Sequence, residues 1–175
     1  SSFAGVEAPG TEVGLDAGSF SVSETGPSGY QRSDSSDCSG TIAIGQTKTC
    51  TVTNDDIQPK LIVIKHVVNN NGGTKVAGDF TMTVTGTDVS LASFPGAEAP
   101  GTQVGLDAGS YSVGESGPGF YARTDSGDCS GTIAIGETKT CTVTNDDYYN
   151  FIGFLPPIDN LPLVNLAQAG RTYPV

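Results

Sequence analysis

Tryptophan is absent from the 175-residue chain, methionine and histidine occur once each, and only eight lysines and arginines face nineteen aspartates and glutamates. Each shortage excludes something. The net charge of −11 repels phosphate backbones and anionic headgroups, which argues against nucleic acid as a partner. A single His, with no Cys pair at metal-ligand spacing, leaves nothing to hold zinc or haem, so neither a metal nor a cofactor is expected. No apolar run is long enough to be a membrane-spanning segment. With aromatics at 7% and charged residues at 15%, any core must be small. What is abundant is glycine, at 24 residues, roughly twice the usual ~7%. Four cysteines complete a composition that favours an extracellular β protein.

The chain repeats itself. Residues 1–56 align without a gap onto residues 92–147 at a constant offset of 91, and 43 of the 56 positions are identical. Gly14-Leu15-Asp16-Ala17-Gly18-Ser19 returns as Gly105-Leu106-Asp107-Ala108-Gly109-Ser110. The second copy has a further 35 residues upstream, 57–91, and the first has none. Residues 1–56 are therefore expected to be the C-terminal part of a β-sandwich repeat, and residues 57–147 a complete one. Residues 148–175 do not repeat, and carry only Arg171 and Asp159 as charged groups. They read as an extended apolar tail or the start of a further module, since four prolines rule out a regular helix.

Within the complete repeat, Leu61 to Val68 is a β-branched run closed by the turn-forming Asn69-Asn70-Asn71-Gly72-Gly73. Phe80 to Thr85 alternates apolar and polar, as a half-buried strand does. Further short strands are expected near residues 102–106, 110–114, 120–124, 131–135 and 139–145. Such spacing predicts an all-β, antiparallel, Ig-like sandwich with almost no helix. Cys38 and Cys50 are twelve residues apart, as are Cys129 and Cys141. Each pair brackets a Gly-containing turn, so local disulfides are expected in both copies, with the partners opposite one another across a hairpin.

Strand parity singles out three polar residues. Leu61, Val63, Lys65 and Val67 share one face of their strand; Tyr111, Val113 and Glu115 share one face of another; Cys141, Val143 and Asn145 share one face of the last. In each, a polar residue extends an apolar row. An amine, an acid and a carboxamide meeting in an apolar setting can react: burial favours the neutral amine, which attacks the carboxamide while the acid moves protons and ammonia leaves. The alternative is that Lys65 snorkels outward, Glu115 faces solvent and Asn145 sits in the Asn-Asp-Asp turn.

The segments Leu61-Ile62-Val63-Ile64-Lys65, Tyr111 to Tyr121 and Cys141-Thr142-Val143-Thr144-Asn145 resemble the SpaA-like, or Cna B-type, prealbumin-like modules of prokaryotic surface proteins. That resemblance implies an intramolecular isopeptide bond between Lys65 and Asn145, assisted by Glu115. Glu24 and Asn54 match in the first copy, where the lysine strand has no counterpart. The tail, from Phe151 through Ala169-Gly170 to Pro174-Val175, resembles the opening of another bacterial surface module.

Asp34, Asp37, Asp125 and Asp128, with the Asn-Asp-Asp runs, read as solvated turn residues, and no catalytic residues for turnover are visible. The expected function is therefore structural: a building block of an extracellular or cell-surface stalk, fibre or filament. Its partners are copies of itself, joined head to tail by strand exchange, or flanking modules of the same polypeptide. The alternative is a ligand-binding adhesin module.

Overall fold

Short β-branched runs interrupted by glycine, proline and asparagine cannot extend far, so this chain folds as many short strands. The computed structural model describes residues 1–148, and the expected tail lies, from residue 149 on, outside the described residues. The strands are β1 (Gly18–Ser21), β2 (Tyr30–Asp34), β3 (Ser39–Ile42), β4 (Val52–Asp56), β5 (Lys60–Val68), β6 (Thr81–Thr85), β7 (Ser93–Pro95), β8 (Thr102–Gly105), β9 (Gly109–Ser116), β10 (Tyr121–Asp125), β11 (Ser130–Ile133) and β12 (Thr138–Asp147). Helix among the described residues is limited to single 3₁₀ turns at Ser36–Cys38, Ala77–Asp79 and Gly127–Cys129.

The second copy is the sandwich that the strand spacing predicts, with sheets in the orders β10-β12-β5-β8 and β11-β9-β6-β7. One pair departs from the antiparallel rule. The first and last strands, β5 and β12, run parallel, with Val63 opposite Cys141 and Lys65 opposite Val143. The rest of the module is the long crossover that a parallel pair requires. Leu61, Met82, Val104, Leu106, Ile133 and Val143 are buried between the sheets, each contributing on the order of 1.5–3 kcal/mol. Strand β7 was not expected from the sequence. Its Phe94 is buried, and Pro95 is tolerated because β7 is the edge of its sheet.

The first copy keeps half of each sheet, β1 with β3 and β2 with β4. These correspond to β9 with β11 and β10 with β12. Among the described residues nothing pairs as the counterparts of β5 and β6, and the segments corresponding to β7 and β8, whose ladder partners those would be, form no strand. Leu15 is 52% exposed where its counterpart Leu106 is 0%. The same sequence thus forms a strand only where its ladder partner lies beside it.

Both disulfides form as the spacing predicts, Cys38 with Cys50 and Cys129 with Cys141, each with a Cα separation of 4.5 Å. Their place differs from expectation. Strand β11 pairs with β9, not with β12, so the segment between the cysteines is an arch from one sheet to the other rather than a hairpin. Cys129 ends the turn by which the chain leaves β10 for the facing sheet, and Cys141 lies in β12. The bond ties sheet to sheet.

Candidate self-cross-linking site

The alternation of β5 buries Leu61, Val63 and Lys65 alike, leaving Lys65 at 0% exposure. On the neighbouring β12 the same alternation buries Cys141, Val143 and Asn145. Glu115 comes from β9 in the facing sheet, opposite the buried Met82 of β6. The sandwich therefore brings together the three residues singled out by parity, and neither the snorkelling nor the turn reading of Lys65 and Asn145 holds. The Asn145 Nδ2 donates to Glu115 Oε1 at 2.8 Å, while Lys65 Nζ stands 3.5 Å from Glu115 Oε2. One carboxyl group touches both the amine and the carboxamide.

Lys65 Nζ also donates to the carbonyls of His66, at 2.9 Å, and Val143, at 3.3 Å, and lies 4.5 Å from the centre of the Phe80 ring. The chain closes tightly over the lysine stem at Gly96, where a Cβ would come within 2.7 Å of Lys65 Cγ. Burial holds the Lys65 amine below its ordinary pKa of 10.5, against the opposing pull of Glu115, and Arg123 lowers it further. Among the described residues, Glu115 Oε2 and Asn145 Oδ1 are buried without a hydrogen-bond partner. Both are atoms that a proton transfer and a nucleophilic addition would engage.

In the first copy Asn54 Nδ2 donates to Glu24 Oε1 at 2.7 Å, reproducing the acid–carboxamide half of the site. Where the lysine strand would run there is a cavity of about 310 Å³, lined by Glu24, Gly26, Pro27, Tyr30, Arg32 and Asn54.

The Asn-Asp-Asp run at the end of the second copy was expected to be a solvated turn. It lies instead within β12, and Asp147 is 5% exposed. Its carboxylate accepts from the backbone N–H of Asn70 at 2.7 Å, Asn71 at 3.0 Å and Gly73 at 2.6 Å. It thus organises the β5–β6 loop. The parity that picked out Asn145 continues to Asp147 and was the available signal. Asp34 and Asp125 are also more than turn residues, since they hold Arg32 and Arg123 in short ion pairs of 2.6 and 2.7 Å. His66 lies in β5 and meets Glu98 at 2.9 Å. Among the described residues no group of three or more His, Cys, Asp or Glu is placed to hold a metal ion, and no helix is long and apolar enough to cross a membrane.

Burial raises the Asp147 pKa, but the backbone N–H bonds outweigh it and hold the carboxyl below its ordinary 3.8. Its contribution to stability is therefore full above the unfolded-state value and is lost as pH falls through the lower folded-state value. The amide shifts of Asn70, Asn71 and Gly73 are expected to titrate together with a midpoint below 3.8. A midpoint above that value would mean that the loop is not held by an ionised Asp147.

No curated protein matches the chain. The family model described as a prealbumin-like fold domain matches it twice, over residues 2–57 and 55–147. The two matches fall on the two copies, and the sheets, the disulfides and the paired strands β5 and β12 are those of one module seen once in full and once in part. The chain belongs to the SpaA-type prealbumin-like fold domain family.

Proposed function

We propose that this chain is a structural module of a prokaryotic surface stalk or fibre, stiffened in its complete repeat by an isopeptide bond between Lys65 and Asn145. The observation that carries the reading is the Glu115 carboxyl group, placed between the buried amine and the carboxamide. Lys65 passes a proton to Glu115, and the neutral Nζ attacks Cγ of Asn145. The new Nζ–Cγ bond replaces the Cγ–Nδ2 bond, and a proton relayed by Glu115 leaves with Nδ2 as ammonia. Membership of the family and the two sheet-to-sheet disulfides support an extracellular setting. The module supports load rather than turning over a substrate.

The mechanical logic follows from strand order. Lys65 lies on the strand by which the chain enters the module, and Asn145 on the strand by which it leaves. Tension would cross from one to the other through the bond, sparing residues 66–144. Pulling the full, reduced chain by its ends is expected to leave the second copy unextended. In reduced Asn145→Ala the same segment should release roughly 280 Å, at about 3.5 Å for each freed residue. Equal extension of the two proteins would remove the cross-link from the account.

The first copy is read as the acceptor of an added strand. Among the described residues its sheets have two strands each, and these, with the cavity beside Glu24 and Asn54, support this. A lysine-bearing strand from a flanking module or another copy would complete the triad. The tail has Arg171 as its only basic residue, so a strand donated from it would pair without a covalent bond. A synthetic peptide of residues 57–91 added to the full chain is expected to give an adduct lighter than the sum by ~17 Da, the mass of the ammonia expelled, and none with Asn54→Ala. An adduct that survives Asn54→Ala, or no binding at all, would sink the acceptor reading.

A further inference from the structure

The two copies differ at the turn before β2 and β10. The first has Gly29 where the second has Phe120, the positions corresponding at the offset of 91. Both residues adopt a left-handed backbone, with φ of 93° and 66°. Both carbonyls accept a bond from the residue just beyond the last strand, Ile57 N–H at 2.8 Å and Tyr148 N–H at 3.1 Å. The turn is thus the same in both copies, and Phe120 demonstrates that it can carry a side chain.

What differs is the structure standing over it. A Cβ on Gly29 would lie 2.7 Å from Ile135 Cγ1 and 2.8 Å from the Ile135 carbonyl oxygen. These atoms belong to the arch of the following copy. There Gly136 N–H donates to Ile57 O at 2.6 Å, and Lys60 N–H donates to Glu137 O at 2.9 Å. A Cβ on Gly136 would in turn lie 3.0 Å from Gly29 Cα. Backbone meets backbone, and only glycine on each side permits it. Among the described residues the corresponding arch of the first copy has no neighbour: Ile44 is 93% exposed, and nothing lies within 4 Å of a Cβ on Gly45.

We infer that Gly29 and Gly136 form a socket by which one copy of this repeat docks end to end on the next, and that Phe120 excludes a further copy from the far end of the second. The partner that fits is another repeat presenting an Ile135-type arch. The short tether Ile57-Gln58-Pro59 keeps that arch at high effective concentration, so a small contact is enough to orient the pair. At the far end the Phe120 ring is 56% exposed and packs edge-on against Tyr148 at 6.3 Å, occupying the space over the turn. The residues that follow there do not repeat 57–84, as a blocked socket requires.

The test is amide exchange and relaxation on the full chain. Gly29→Phe is expected to lower protection of the position-136 amide at least ~10-fold and to let the copies tumble independently, with the β4 amides still protected. In case Gly29→Phe unfolds the first copy, Gly136→Ala opens the same joint from the other side. Gly45→Ala, at nearly the same φ (73° against 70°) but with nothing over it, controls for backbone strain and should change neither readout. In a chain with residues 57–147 inserted once more after Asp147, the added copy should dock only with Phe120→Gly. Common tumbling retained in both joint variants, a Gly45→Ala effect as large as that of Gly136→Ala, or docking beside an intact Phe120 would overturn the inference.

Discussion

Lys65→Ala is expected to destabilise the second copy by about 3–5 kcal/mol, because it removes the cross-link, empties a buried site and leaves the acid beside it without its neighbour. For a module of this size that lowers the thermal midpoint by at least ~12 °C. Part of the reason lies in what is left behind: Glu115, with a side chain 6% exposed, would stay in a closed interior without the group it faces. The double variant Lys65→Met with Glu115→Gln should recover only the part of the loss that comes from burial, because it leaves a linear apolar stem under Phe80 and no unpaired acid but still has no cross-link. Neither variant can form the cross-link. Comparing them by calorimetry therefore separates the burial cost from the covalent contribution. A wild type no more stable than the double variant would leave the bond without a stabilising role.

The second large effect concerns the first copy. There the Cys38–Cys50 bond joins two sheets of two strands each, and two-stranded sheets are marginal alone in water. A loop of this size is worth about 3 kcal/mol in the chain-entropy model. Cys38→Ser with Cys50→Ser is thus expected to abolish amide protection throughout β1–β4. The equivalent pair of changes at Cys129 and Cys141 should cost about the same, but leave the second copy folded, because Leu61, Met82, Val104 and Val143 still close its core. Exchange measured copy by copy distinguishes the two, and equal resistance of both copies would contradict the half-built reading of residues 1–56.

Much of this was legible in the residues. Alternation put Lys65, Glu115 and Asn145 each at the end of an apolar row, but the first strand is apolar on both faces, so parity alone left open whether Lys65 points inward. The repeat made the disulfide pairs obvious. What the sequence did not reveal was which strands are neighbours. Spacing alone makes Cys129 and Cys141 look like hairpin partners, whereas the arch carrying Ile135 and Gly136 sends β11 and β12 to different sheets. Parallel pairing of β5 with β12 is equally invisible, because parity fixes a face and not a partner. Asp147 was misread because Asn-Asp-Asp is turn chemistry by composition, and its loop partners lie more than seventy residues away. The first seventeen residues, which form no strand, show the converse limit. Their sequence matches that of β7 and β8, but a strand needs its ladder.

The acidity and the scarcity of aromatics also gain a place. Both belong to the repeats, thin sandwiches in which Phe80, Tyr121 and the lysine stem share one small interior. Disulfides that tie sheet to sheet supplement so small a core.

The intact mass of the purified chain, taken after full reduction of both disulfides, tests the central claim most directly. One Lys65–Asn145 bond predicts a mass ~17 Da below that of the sequence, for the ammonia lost in the attack on the carboxamide, with the deficit absent in Asn145→Ala. A reduced mass equal to the sequence mass would contradict it.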